Sequence, residues 1–451
     1  MEHVNILSEY GLFDAKVPRY TSYPPANRFE PNIGARMQAE WLAQVPRNVP
    51  VSVYVHIPFC RRLCWFCACR TQGTKTLQPV DAYINDLEAE IGMAAEKMNG
   101  KPRMSRLHLG GGTPTLLNVA QMTRVLDALD NAFVPASDFE FSVEIDPTEA
   151  SPEILEFLAC RGLIRASIGV QDFEPQVQEA IGRKQSFAQT SAVVEQLRRQ
   201  GVTSLNFDLL YGLPYQTAQS LQKTLRHVFE LRPDRLALYG YAHVPHMSKR
   251  QIMIVDETLP SNKDRYFAAQ SARDRLISEG YTSIGIDHFA RPTDSLAKAK
   301  RTKKLKRNFQ GYTDDPCSTL IGFGASAISK FEQGFSQNSV ATSAYRLRIG
   351  DKQLAGHKGY FMSPEDLLIS DFVEQIMCYS EVNLTQLIDN HPQFAHEIHQ
   401  ISQALNHSFP NAIITENGVI KFREAMAPLT RIVAAQVDRS LQINHRHSVA
   451  F

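Results

Sequence analysis

The stretch from Tyr54 to Cys69 constrains this chain more than any other. Four of the chain's seven cysteines lie in it, and Cys60, Cys64 and Cys67 have C-x3-C-x2-C spacing. The preceding apolar run, Val51 to Ile57, reads as a buried strand. The cysteines therefore leave a strand end, which is where α/β proteins place their chemistry. Three close thiolates can hold three irons of a cubane cluster and leave the fourth iron open to a substrate or cofactor. A four-thiolate cluster could only pass electrons. Zinc is the main competing reading, but structural zinc sites usually pair two short knuckles, and no second C-x2-C knuckle exists here. A disulfide framework does not suit 451 residues with an odd cysteine count. The scattered Cys160, Cys317 and Cys378 read as small buried hydrophobes.

From Val51 onward, strand-like and helix-like blocks alternate. Strand-like runs cover residues 52–57, 106–109, 139–145, 165–170, 204–211, 235–241 and 282–286. Between them, Ile84, Leu87, Ile91, Ala95 and Met98 recur at helical spacing and Gly100 stops the block. Asn118 is a helix cap, and Ser151-Pro152 pairs an N-cap with an N1 proline. Repeated βα units argue for a parallel sheet closed or partly closed into a barrel. Polar residues sit where such a barrel keeps its loops. Gly110-Gly111-Gly112-Thr113-Pro114-Thr115 follows the second strand; Glu144 ends the third, Gln171 the fourth, and Asp208 lies in the fifth. A glycine turn alone more often binds phosphate, and Glu144 alone is either a paired structural acid or a site residue. Polar groups at successive strand ends, however, make a lined pocket. Arg183 can meet an anion there. Asp287 and His288 follow a later apolar run, and His288 is either a satisfied structural histidine or a site residue. Residues 298–307 hold seven Lys or Arg, by default a solvated face.

Before the barrel, Pro18-Arg19-Tyr20-Thr21-Ser22-Tyr23-Pro24-Pro25 is too rich in proline and aromatics for a helix and reads as an extended strap. Beyond about residue 359, helices near 374–379, 383–388 and 396–405 precede a hairpin at 412–422 with an Asn417-Gly418 type I′ turn. Helices followed by a hairpin suggest a winged-helix-like cap. The segment lacks a basic stripe, so a cover over a substrate fits it better than DNA binding. Net charge is +1 and 43 % of residues are hydrophobic, which makes no case for nucleic-acid or membrane attraction. No apolar run reaches transmembrane length, and Met1 to Tyr10 lacks the apolar core of a signal peptide. Thiols kept as ligands imply a reducing, cytoplasmic setting.

The cysteine spacing with Phe66 before Cys67 resembles the cluster loop of radical S-adenosylmethionine (SAM) enzymes. The longer string, with Cys69 at C-x-C spacing, resembles the oxygen-independent coproporphyrinogen III oxidases, and the match continues almost to the C-terminus. The resemblance implies an α/β fold: a partial (β/α)6 TIM-like barrel over residues 51–358. A strap over 1–50 would reach the active site, and a C-terminal α+β cap would cover 359–451. It implies one [4Fe-4S] cluster on Cys60, Cys64 and Cys67 and two SAM molecules. It places Tyr54, Phe66 (through its backbone), Gly111, Gly112, Thr113, Glu144, Gln171, Arg183, Asp208, Ala242 and Ile328 at the SAM sites. Cys69, Arg19, Tyr20, Asp287 and His288 fall to the catalytic side. The implied reaction is oxidative decarboxylation of coproporphyrinogen III to protoporphyrinogen IX without oxygen, in haem biosynthesis. The implied partners are a flavodoxin- or ferredoxin-type electron donor and the porphyrinogen itself, acting on a monomer. The basic run at 298–307 would then suit the entrance for a tetracarboxylate. Two departures stand out: Ile369-Ser370 where a pair of arginines is expected, and Ala68 where a glycine is common. The alternatives are a haem carrier, against which Cys69 and the Arg19-Tyr20 strap argue, and a radical SAM enzyme acting on haem itself.

Overall fold

The structure is a computed structural model and describes residues 2–423 and 425–438. Six strands set its frame: β1 Val51–Ile57, β2 Arg103–Gly111, β3 Val134–Ile145, β4 Leu163–Gln171, β5 Ser204–Tyr211 and β6 Arg235–Gly240. On β6 Arg235 to Leu238 are all buried. On the first five an alternate set is apolar and buried: Val53, Val55 and Ile57 on β1, Leu107 and Leu109 on β2, Phe141 and Val143 on β3, Ile168 and Val170 on β4, Phe207 and Leu209 on β5. These alternate residues belong to one core shared with the crossover helices α1 Gln78–Lys97, α2 Val119–Ala132, α3 Pro152–Cys160, α4 Phe187–Arg199 and α5 Ala218–Leu231. The other set is polar and faces the barrel interior, with His108, Ser142, Glu144, Ser167, Asn206 and Asp208 on one cavity.

The six strands pair in parallel and in chain order. Register keeps the interior residues level: Tyr54 lies opposite His108 and His108 opposite Ser142, while Glu144, Ser167 and Asn206 form a second row. The barrel is partial, as expected. Its sheet continues past β6 into two antiparallel strands, β7 Thr282–Ile284 and β8 His288–Ala290. Past β1 lie a parallel strand, β9 Leu320–Phe323, and the antiparallel β10 Ile328–Phe331, β11 Gly334–Asn338 and β12 Gly356–Phe361. The strand expected over 282–286 stops at Ile284 because the chain turns at Gly285 (φ +54). A Cβ there would run into the Tyr312 ring, so this turn is open to glycine alone.

The helix caps form as read. Asn118 and Gln121 exchange both capping-box hydrogen bonds, at 2.9 and 3.0 Å, and Ser151 caps α3 through the Ile154 N–H at 3.3 Å. Ahead of β1, the segment holds helices Glu2–Glu9 and Ala35–Ala43 as well as the extended strap. C-terminal to β12 come α6 Pro364–Tyr379, α7 Ala395–Ser408, the hairpin Ile413–Glu416 and Val419–Phe422, and α8 Thr430–Val437. Asn417 and Gly418 take positive φ (51° and 74°), as a type I′ turn requires. Glu381–Asn383 adds a third strand to this hairpin. Residues 439–451 of the expected cap lie outside the described residues.

A second core ties strap to cap: Leu12, Phe13, Val17, Tyr20 and Tyr23 pack with Leu368, Ile369, Phe372 and Val433. Each such buried side chain stabilises by about 1.5–3 kcal/mol. Arg431 donates to the carbonyls of Val17 and Pro18 at 2.7 and 3.1 Å, and the Tyr20 hydroxyl donates to Asp438 at 3.1 Å. Ile369, where an arginine is expected, is 2 % exposed in this core. At this position the chain packs the strap instead of presenting a charge.

Candidate active site

The cysteine loop is held from three sides. Phe59–Cys60 pairs in parallel with Gln72–Gly73, closing the loop at its base. The glycine loop locks against it: the Gly112 N–H donates to Ile57 O and the Thr113 N–H to Phe59 O, both at 2.8 Å. From beyond β6, Ser248 donates to Cys67 O and Gln251 to Phe66 O, both at 2.9 Å, and Arg250 donates to Thr71 Oγ1 at 2.8 Å. The loop is thereby rigid on both faces, and Cys60, Cys64 and Cys67 converge on one cavity of about 500 Å³.

Two N–H donors point at sulfur: Arg183 Nη1 at 3.5 Å from Cys64 Sγ, and the Cys69 N–H at 3.4 Å from Cys67 Sγ. A hydrogen bond from the Cys69 thiol lowers the Cys67 thiol below its ordinary value against the effect of burial, and the Cys69 N–H, Arg250 and Arg183 assist. Cys69 is correspondingly held well up. Burial pushes Cys60 up to about 11.

The cavity walls come from the strand ends. Burial would raise the Glu144 carboxyl, but His108 at 3.6 Å and the Gly111 N–H at 2.9 Å hold it below its ordinary value, so it stays ionised. Asp208 accepts from Ser167 and Asn206, both at 2.9 Å, yet burial still lifts it to about 6. Gln171 ends β4 at φ +66, a conformation uncommon outside glycine and costing on the order of 1–3 kcal/mol, of the kind that clusters at functional sites. Gly182 admits the Trp65 ring beside it and delivers Arg183, which binds Asp146 at 3.0 Å and Gly169 O at 2.9 Å.

These residues fit an iron–sulfur cluster and a zwitterionic nucleoside. Among the described residues, no three His, Cys, Asp or Glu groups converge as one ion requires. Three thiols on one cavity can hold one iron each of a cubane cluster and leave the fourth open. For SAM, the site offers the Arg183 cation, the carboxylates of Glu144 and Asp208, and the backbone of Gly111 to Thr113. Arg183, which lines this cavity, has its Nε buried without a hydrogen-bond partner, as a donor awaiting a ligand would be.

A second cavity, of about 640 Å³, lies beside the first. Tyr239 lines both, while Asp287 faces the second and His288 the first. His288 Nδ1 meets Asp287 Oδ1 at 2.7 Å, and His288 Nε2 meets the Tyr239 hydroxyl at 3.3 Å. These three residues form the wall between the cavities. Arg19 reaches the second cavity and donates to Gly240 O at 2.8 Å; Ala242 lines it as well. Tyr20 does not line it: its side chain is 2 % exposed between strap and cap. Tyr54 stacks on His108 (5.8 Å, 16°) behind the first cavity, and Ile328 starts β10, packed over Gly322. Cys69 lines the first cavity beside the thiols of Cys60, Cys64 and Cys67.

Several residues here are not singled out by motif. His108, Ser142, Ser167 and Asn206 hold the two carboxylates, and their signal is the polar member of each two-residue alternation. Ser248, Arg250 and Gln251 carry no such signal, since they grip the cysteine loop from a stretch 179 to 185 residues away.

A partial parallel barrel with this thiol triad at its strand ends defines a radical SAM enzyme, and residues 54–228 match the radical SAM superfamily. The chain is 45 % identical over 450 residues to the oxygen-independent coproporphyrinogen III oxidase of Paracoccus denitrificans, covering 100 % of both. It is 40 % identical to the enzyme of that name from Escherichia coli over 80 % of this chain and 79 % of the other. The solved structure of coproporphyrinogen III oxidase from Escherichia coli superposes with a TM-score of 0.89 at 35 % identity, over 95 % of this chain and 100 % of that one. The chain belongs to the oxygen-independent coproporphyrinogen III oxidase family. Full-length matches of this kind favour the oxidase over the haem carrier and the haem-modifying enzyme.

Proposed function

We propose that this chain converts coproporphyrinogen III to protoporphyrinogen IX by oxygen-independent oxidative decarboxylation. The observation that carries the reading is the thiol triad on a cavity walled by Gly112, Glu144, Asp208 and Arg183, in a chain matching the oxidases end to end. Cys60, Cys64 and Cys67 hold the [4Fe-4S] cluster. With SAM bound, the pair supplies the one-electron chemistry that removes an unactivated hydrogen from a propionate side chain, which no protein acid or base can do.

The chain's own residues bind and orient. Arg183, ion-paired to Asp146, sets a fixed cation beside Cys64 and the SAM site. Ionised Glu144 accepts hydrogen bonds from the cofactor, and the glycine loop brings its backbone against it. Gln171, Asp208 and Phe66 complete the SAM surroundings on the first cavity, with Tyr54 behind it, Ile328 at the start of β10 and Ala242 on the side that faces the second cavity. Cys69, Asp287 and His288 stand between cofactor and substrate, and Arg19 and Tyr20 fix the strap across them. Two propionates are oxidised per product, which matches two SAM molecules per turnover. A flavodoxin- or ferredoxin-type protein supplies the electron, and the enzyme works as a cytoplasmic monomer. Residues 1–50, 51–358 and 359–451 serve as strap, catalytic barrel and cap. No described helix is long and apolar enough to cross a membrane.

The test is anaerobic. Reconstituted protein with SAM, reductant and coproporphyrinogen III should lose two carboxyl groups stepwise, with 5′-deoxyadenosine formed in proportion. Deoxyadenosine without decarboxylation would move the reading to another substrate, with haem tried next. Tight haem binding with neither product would replace it with the carrier.

A further inference from the structure

The second cavity has an unusual lining for its size: Arg19, Arg265, Arg273, Arg307 and Arg431 face it, against Asp274 and Asp287. The guanidiniums are close enough to disturb one another. Burial lowers Arg431 to about 9, with Arg19 next, and burial lowers Arg265, with Arg19 opposing its charge as well. The hydrogen bonds of Arg19, Arg265 and Arg307 run to neutral oxygens. Arg19 donates to Gly240 O, Arg265 to Tyr241 O at 2.7 Å and Asn262 Oδ1 at 3.4 Å, and Arg307 to Tyr20 O at 3.0 Å. Arg307 Nη1 and Arg265 Nε are buried with no partner at all. An unpartnered buried N–H costs about 1–3 kcal/mol, more on a charged group, so such donors are kept where an anion will meet them.

Arg307 occupies the decisive place. It ends the basic run, yet only Arg307 of that run lines this cavity; Lys303 turns instead to Glu381, and Lys300 to Ser283 O. Its guanidinium sits 4.2 Å over the Tyr312 ring, which fixes its plane, and its charge helps hold Asp287 ionised. It therefore stands at the wall formed by Asp287, His288 and Tyr239, the boundary with the SAM cavity.

Resting on the oxidase reading, we infer that the arginine-lined cavity is the porphyrinogen chamber and that Arg307 positions the propionate next to be oxidised. A planar guanidinium holds a carboxylate bidentately. The carbon losing hydrogen lies two bonds from that carboxylate, so anchoring it at this wall brings the carbon to the cofactor side. Arg19 and Arg265 take carboxylates further from the wall. Arg307 is a positioning residue, and the arginines expected at 369 and 370 are not required.

The experiment uses the anaerobically reconstituted holoenzyme and two fluorescent probes, coproporphyrin III and its uncharged tetramethyl ester. Arg307→Gln should weaken binding of the acid about 10-fold or more and leave the ester's binding unchanged. SAM affinity and cluster spectra should match the unsubstituted protein, which shows that the variant has folded. Arg307→Lys should recover part of the acid's affinity but keep a lowered kcat, because a point charge does not fix the carboxylate plane. Equal binding of the acid by Arg307→Gln and the unsubstituted enzyme would overturn the assignment while leaving the oxidase reading intact. An unsubstituted enzyme that forms deoxyadenosine yet neither binds coproporphyrin III nor decarboxylates its reduced form would overturn both.

Discussion

Gly112 sits where the glycine loop presses on the root of the cysteine loop, and replacing it with alanine makes a graded, geometric prediction. A Cβ at Gly112 would stand 2.5 Å from Phe59 O, 2.9 Å from Phe59 N and 3.0 Å from Ile57 O. All three are backbone atoms and cannot swing aside. Ordinary contact needs about 3.4 Å or more, so one chain must move by roughly 1 Å. Overpacking of this kind costs about 1–3 kcal/mol. The functional loss should be larger than the stability loss. Phe59 precedes Cys60, a proposed cluster ligand, and a 1 Å misplacement of reacting groups can cost about 10²-fold. Gly110→Ala is the internal comparison. Its Cβ would meet mainly the Glu144 carboxylate, at 2.9 Å, a side-chain end able to yield. It should lose less than about 1 kcal/mol while weakening SAM binding through the displaced Glu144. The assay is the anaerobic rate of 5′-deoxyadenosine formation beside iron content and thermal midpoint. If Gly112→Ala kept full iron and cleaved SAM within a few-fold of the unsubstituted rate, the contact between the two loops would not position the cofactor, and the argument would fail.

Three further outcomes are expected. Serine at Cys60, Cys64 or Cys67 should abolish bound iron and sulfide, whereas Cys69→Ser should retain the iron and lower turnover, and Cys160→Ser, at the end of α3 and exposed where its isolation in the sequence suggested burial, should do neither. Arg183→Gln should cost about 3 kcal/mol in urea unfolding by stranding Asp146, the lower end of the range for a broken buried pair. The Thr148 N–H and hydroxyl still serve Asp146 at 3.0 and 2.8 Å, and Arg183→Met with Asp146→Leu should recover part of the loss. Glu90 is buried and lifted from 4.5 to about 7 by that burial, despite bonds from Gly324 N–H, Tyr345 and Asn338. The folded state therefore binds the extra proton, so this group's contribution is full below pH 4.5 and is lost as pH rises through about 7. Glu90→Gln should flatten that part of the stability–pH curve.

The sequence alone announces the barrel strands because the first five each carry an apolar alternate row that must be covered. The interior polar row was equally visible at Glu144 and Gln171, at strand ends, and at Asp208 within an apolar strand. It was less visible at His108 and Ser167, which look like ordinary mid-strand residues until neighbouring strands supply their partners. Partners from distant sequence have no local signature. The grip of Gln251 on Phe66 and the closure of Arg307 over Tyr20 depend on the return of the chain, not on spacing. The short strands β10 to β12 were illegible for a related reason: each is only four to six residues long, and its antiparallel neighbours make it a strand.

The missing arginine pair shows how a departure from pattern can mislead when read position by position. Ile369 looks like a lost ligand for carboxylates. In the fold it is a core residue holding the strap, and the strap delivers Arg19 to the cavity while Arg307 pins the strap at Tyr20 O. Apolar packing at 369 and cationic lining at 19 and 307 are thus parts of one arrangement. Charge is conveyed to the cavity by a segment whose position depends on a buried isoleucine. Arginine forced into position 369 would bury an unpaired cation in that core, costing several kcal/mol, and would loosen Arg19 instead of adding to it.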